Sequence, residues 1–201
     1  MHKTGFGLAV WILFGAMPLM AQGPPPSGVG DNVQNFEVSL GYAYLHSRTV
    51  NPTAGCCFNL HGGDISIAVN MNEWLDLVGD FGGSYARDLM DSGYTLSIFT
   101  YTFGPRISIH KSGRFTPFVQ GLFGGGHAGG TLYTAGFQQG ATAPSSQDSF
   151  AMALGGGLDV NVGQHFAIRA FQADWLYTQF PNGGKDRQNN LRVITGIVIR
   201  F

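Results

Sequence analysis

Leu191-Arg192-Val193-Ile194-Thr195-Gly196-Ile197-Val198-Ile199-Arg200-Phe201 is the stretch that decides the fold. Every second residue (Leu191, Val193, Thr195, Ile197, Ile199, Phe201) is apolar or β-branched, and Arg192, Gly196 and Arg200 fall between them. Successive side chains of a strand point to opposite faces, so this segment has one greasy face and one polar face. A strand closing a membrane barrel needs one lipid-facing and one lumen-facing side.

Seven earlier segments read in the same way. The first, about 34–46, alternates Phe36, Val38, Leu40, Tyr42 and Tyr44 with Glu37, Ser39, Gly41 and Ala43. Similar patterns cover about 61–71, 75–86, 95–109 and 149–162. The fifth segment, about 115–127, is the least regular. Val119 and Phe123 alternate with Gln120 and Gly124, but Phe118 and Leu122 break the pattern. The seventh, about 166–178, slips phase by one near Ala170, as a β-bulge does. The connections alternate between long (47–60, 87–94, 128–148, 179–189) and short (72–74, 110–114, 163–165).

Composition points the same way. The chain has 31 glycines, 16 phenylalanines and 11% charged residues, against about 25% charged in soluble domains. After the N-terminus no segment approaches the roughly 18 apolar residues of a transmembrane helix. A lipid-embedded sheet must pair every backbone N–H and C=O, which requires closure. The expected fold is therefore all-β: an eight-stranded antiparallel transmembrane barrel over 34–201, with short periplasmic turns and longer extracellular loops. Aromatic girdles should place Trp74, Phe115 and Phe166 at the turn rim and Tyr44, Tyr85 and Tyr177 at the loop rim. A formal charge of −1 gives no support for a nucleic-acid partner.

Residues 1–21 read as a cleaved signal peptide: His2 and Lys3, an apolar run from Leu8 to Met20, and a small residue at Ala21. Cleavage removes one lysine and no acid, which moves the formal charge from −1 to −2. Residues 22–33 form a flexible Pro/Gly linker. The expected location is the outer membrane of a Gram-negative-type cell.

With strands and turns assigned, Phe103-Gly104-Pro105-Arg106, Gly155-Gly156-Gly157-Leu158-Asp159-Val160, Ile168-Arg169-Ala170-Phe171-Gln172-Ala173-Asp174-Trp175 and Arg200-Phe201 carry a resemblance. Over about 34–201 the chain resembles the small OmpA-like outer-membrane β-barrel family, a porin-type class. The resemblance implies that Phe201 is the signal read by the barrel assembly machinery. No peptidoglycan-binding domain is expected after the barrel, so anchoring to the cell wall is not implied.

The alternation turns Glu37, Asp64, Asp76, Asp80, Asp159 and Asp174 inward, together with Arg106, Arg169, Arg192 and Arg200. Charges inside a narrow barrel must pair, because an unpaired buried charge costs several kcal/mol. A structural salt-bridge plug is the expected arrangement, and a pore gated by partner exchange is the alternative. On the same phase, a lysine at Ile197 should damage insertion far more than one at Val198.

Cys56 and Cys57 pair with each other only as a strained vicinal disulfide; the other option is an intermolecular bond. Two cysteines make no zinc site, and no metal or other cofactor is expected. His46, Ser47 and Asp88 or Asp91 supply the residue types of an acyl-transfer triad, but Ser and His adjacent on a strand point apart. Arg48, Arg87, Lys185 and Arg187 lie on the expected outer loops, where lipopolysaccharide phosphates sit. The expected role is structural or surface-interacting, by a monomer in contact with membrane lipids. A narrow gated porin-like channel is the alternative, and a lipid-modifying enzyme is the third reading.

Overall fold

Period-two alternation is realised in eight strands: β1 (Phe36–Arg48), β2 (Cys57–Asn70), β3 (Leu75–Ala86), β4 (Leu96–Ser108), β5 (Phe115–Gly129), β6 (Ser146–Asn161), β7 (Phe166–Thr178) and β8 (Gln188–Arg200). Each pairs antiparallel with the next, and β1 pairs with β8 to close the barrel. This is a computed structural model, and it describes residues 36–48, 57–87, 95–109, 113–130, 146–180 and 187–201. The signal peptide, the linker, Cys56, Asp88, Asp91 and Lys185 lie outside the described residues. Among the described residues no helix is long and apolar enough to cross a membrane. The chain crosses with strands, as a transmembrane β-barrel.

The faces are inverted relative to a water-soluble protein. Phe99, Val119, Phe171, Trp175 and Ile197 are exposed on the outside, while Asp80, Gln172 and Asp174 are fully buried within. The strand ends joined by the short connections after β2, β4 and β6 lie at one end of the barrel, and the strand ends flanking the longer connections lie at the other. Asn72 shapes the first short turn by accepting the N–H groups of Trp74 and Leu75 at 3.0 and 2.8 Å, a side-chain substitute for a backbone turn bond. Trp74, Phe115 and Phe166 sit at the short-turn end, and Tyr44, Tyr85 and Tyr177 near the loop end.

Several strands extend beyond the sequence reading. β2 starts at Cys57 rather than near 61, and β6 and β8 start at Ser146 and Gln188. For β2 the reason is a reversal of polarity near the loop end; the added residues of β6 and β8 are polar in both phases and show no alternation. Leu45 and Leu60 face each other across β1 and β2 and are buried inside. An inward leucine removes the apolar-out, polar-in signature, so Cys57–Leu60 reads as loop. The irregularity of β5 has the same origin: Phe118 (4% exposed) and Leu122 (0%) point into the lumen. The phase slip at Ala170 is a bulge; Leu158 pairs with Phe171 but Asp159 with Arg169, so β7 has one extra residue there.

One expectation is corrected by packing. Val198 faces the interior but is 0% exposed and lies opposite Ser39 and Ala167. The filled lumen has no room for a lysine there, so Val198→Lys must damage the barrel as well.

Two adjacent glycines of β2 show how tightly the strands are packed. A Cβ on Gly62 would lie 1.8 Å from the Gly83 carbonyl oxygen, whereas one on Gly63 would meet nothing nearer than the Gly41 oxygen at 3.8 Å. We expect Gly62→Ala to cost upwards of about 2 kcal/mol, because backbone must move. We expect Gly63→Ala to stay within about 0.5 kcal/mol. Urea unfolding of the two variants in lipid vesicles checks the contrast.

Candidate functional site

The interior is the first place to seek function, because it concentrates buried charge. Its centre is Arg192 of β8. Nη1 lies 3.2 Å from Asp64 Oδ2 and 2.8 Å from Asp80 Oδ1, and Nη2 lies 2.8 Å from Asp174 Oδ2. Three strands besides β8 thus meet on one guanidinium, a fork suited to several carboxylates at once. Thr102 Oγ1 donates to Asp80 at 3.5 Å, and Asp80 Oδ2 has no hydrogen-bond partner among the described residues.

A second cluster lies towards the short turns. Arg169 donates from Nε and Nη2 to the two oxygens of Asp159, at 2.9 and 3.1 Å. Arg200 pairs with Glu37 at 3.2 Å, approaches Asp159 at 4.0 Å and bonds Asn161. Ser39 accepts from Arg169 at 3.3 Å and bonds Ser66 at 2.6 Å. Asp76 accepts from Ser108 at 2.9 Å.

Two glutamines join the clusters. Gln172 accepts from Arg169 at 2.8 Å and donates to Asp174 at 2.7 Å. Gln120 accepts from Arg106 at 3.1 Å and donates to Asp174 at 3.3 Å. Arg106 forms no ion pair within 4 Å among the described residues, and its Nη2 is unpartnered. Its guanidinium instead stacks on Phe118 at 4.6 Å, with Arg169 over the same ring at 4.8 Å. The structure therefore buries all ten inward charges of the sequence reading, but through a network in which glutamine, serine and one aromatic ring are also members. Such connected networks rigidify a core because each group orients the next.

Above this network, towards the loops, the interior turns apolar. Leu45, Leu60, Ile98, Leu122, Leu176 and Phe180 belong to one buried cluster. Phe180 follows β7 and is held there by Gln188, which accepts its N–H at 2.9 Å and donates to its carbonyl at 2.7 Å. The sequence reading did not find this layer. Its signal was the runs in which two phases are apolar at once, as at Phe118–Phe123.

The remaining candidates separate. Ser47 is buried inside, while His46 faces outward and bonds Asn59 at 2.7 Å, so these two do not meet. His127 pairs with Asp148 at 2.7 Å on the outer wall. Cys57 is disulfide-bonded at the start of β2. Phe201 is exposed; its N–H bonds the Phe36 carbonyl at 2.9 Å, and the two rings are 6.1 Å apart. Arg87 lies over Tyr85 and Arg187 is exposed. Among the described residues no group of three or more His, Cys, Asp or Glu is placed to hold a metal ion.

No family model and no curated protein matches the chain. Solved structures do match its fold. Neisserial surface protein A aligns with a TM-score of 0.61 at 13% identity, covering 83% of this chain and 97% of that one. The attachment invasion locus protein Ail of Yersinia pestis gives 0.56 at 20% identity, with 83% and 97% covered. OprG of Pseudomonas aeruginosa gives 0.50 at 11% identity, with 83% and 95% covered. The likeness is one of fold, that of small eight-stranded outer-membrane barrels.

Proposed function

We propose that this protein is an integral outer-membrane barrel of the OmpA-like class with a structural or surface-interacting role, acting as a monomer. It is secreted through a signal peptide cleaved after residue 21, inserted by the barrel assembly machinery through Phe201, and oriented with its longer loops outside. The observation that carries the reading is a doubly sealed interior. The Arg192 and Arg169 clusters fill the lower and middle lumen, and the Leu45–Leu60–Leu122–Phe180 layer caps it. An eight-stranded barrel has just enough interior for its own side chains, and buried apolar residues offer a passing ion no hydration.

The outer wall supports the membrane location: its large apolar side chains have no protein to bury them and find a solvent only in lipid. The reading assigns no catalytic residue. Among the described residues, no hydroxyl nucleophile is hydrogen-bonded to His46 or His127.

Planar-bilayer recording tests this. We expect the wild-type protein to fold, shown by heat-modifiable gel mobility, and to carry no steady current. A strain lacking it should grow less well under detergent or osmotic stress. Steady, ion-selective current from the wild-type barrel would replace this reading with the narrow channel. An altered lipid A mass spectrum that depends on the protein would replace it with the enzyme.

A further inference from the structure

The outer wall of β1 to β4 carries a feature that the lumen does not explain. Three outward rungs succeed one another towards the loops. Leu40, Ile65, Phe81 and Tyr101 are in register; next come Tyr42, Gly63, Gly83 and Phe99; then Tyr44, His61, Tyr85 and Ser97. The middle rung has no side chain at its two central positions. The Phe99 ring leans across Gly83, 3.1 Å from where a Cβ would be, but among the described residues no side chain lies across Gly63 and the nearest atom is the Gly41 oxygen at 3.8 Å. Outward Gly79 and Gly125 differ, because the rings of Phe103 and Tyr101 cover them. The result is a depression of about 580 Å³ walled by Leu40, Ile65, Phe81, Phe99 and Tyr101. That volume falls within the roughly 300–1,000 Å³ of small-molecule sites. Its lining is mainly apolar, with the inward residues Asp64 and Thr100 bordering its floor, and it opens to the bilayer.

Directly loopward the wall changes chemistry. Tyr42 Oη lies 2.5 Å from His61 Nδ1, and the Tyr44 and His61 rings are 5.5 Å apart. Arg87 sits over Tyr85 at 5.5 Å. When Tyr42 donates to Nδ1, the imidazole proton is on Nε2, where it is a donor for a ligand. Arg87 adds a permanent charge with fork geometry that matches phosphate. Amphipathic rings settle at the headgroup level, so this patch marks the loop-side interface and the slot lies in the leaflet beneath it. An apolar slot under a cationic, donor-rich patch complements a lipid that carries both phosphate and acyl chains.

We propose that this wall binds lipopolysaccharide, the phosphorylated glycolipid of the outer leaflet, with one acyl chain in the slot at Gly63 and a phosphate on Arg87 and His61. The choice of this lipid rests on the orientation proposed above, which turns the patch towards the cell exterior.

Native mass spectrometry of the full-length protein tests it, after folding into vesicles of phospholipid with lipopolysaccharide or of phospholipid alone. We expect the wild-type barrel to retain one lipopolysaccharide on release. Gly63→Leu fills the slot from a position with open space, and should lower retention about ten-fold, as loss of a well-packed contact does. Arg87→Ala should lower it as well. Equal retention by Gly63→Leu, retention of phospholipid instead, or no retention by the wild type would overturn the proposal. A photoreactive benzophenone residue supplies a second measurement should Gly63→Leu fail to fold. Placed at Ile65 it should cross-link lipopolysaccharide far more than at Leu154, which is exposed on β6, four strands from β2 either way round the barrel. Equal yields would refute the slot. Folding and conductance of the same samples report separately on the outer-membrane reading.

Discussion

Replacing Arg192 with methionine should cost the barrel about 3–5 kcal/mol, the effect of stranding buried carboxylates. Asp64, Asp80 and Asp174 all converge on this guanidinium and are at most 3% exposed. Asp174 would keep Gln120 and Gln172 as donors, but Asp80 would keep only Thr102 at 3.5 Å among the described residues. Arg106→Met is the matched control. Among the described residues that arginine donates one hydrogen bond to Gln120, stacks on Phe118 and has no partner for Nη2. An apolar side chain preserves the stacking, so the expected loss is about 1 kcal/mol or less. Urea midpoints in vesicles measure both variants, and single-channel recording on the same samples reads the lumen. Lower stability of Arg192→Met without steady current is the expected result. Equal losses in the two variants would contradict the hub, and unchanged stability with larger steady conductance would identify a gated pore.

Ile197→Lys should lose ~2–4 kcal/mol if its Cα lies near the bilayer midplane, and less towards an interface. Ile197 is 49% exposed and sits between outward Leu40 and Ile168. Val198→Lys should also fail, for a different reason: the side chain is enclosed near Ser39, a partner of Arg169, so a second cation would be buried beside the first. Met71→Lys, at an exposed short-turn position, should be nearly neutral. Unfolding in vesicles gives the three values. A neutral Ile197→Lys would contradict the assigned phase of β8.

The contrast between Ile197 and Val198 shows what a local pattern conveys. Alternation placed one outward and the other inward because strand geometry forces it. Tolerance at position 198 depends on whether the lumen is open or filled, and that is settled by residues of β1 and β7. Phe118 shows the converse case. Its apolar character obscured the phase of β5, although its ring is a stacking platform for two arginines. Hydrophobicity marks lipid only where no apolar group is needed inside.

The sequence alone determined the number of strands, the phase of most of them, the bulge at Ala170 and the inward position of the charged residues. Each follows from period two and from the length of the connections, which are properties of neighbouring residues. Tertiary structure decided which charge meets which. Arg192 bonds Asp64 from 128 positions away and Arg200 bonds Glu37 from 163. It also created the apolar cap around Leu122 and Phe180, and the slot at Gly63, which no single strand contains. The physical reason is register. Closing β1 on β8 fixes how far each strand slides past its neighbour, and that slide sets the height of every inward and outward side chain. A strand's own residues encode which face each side chain takes; only the closed barrel encodes what stands beside it.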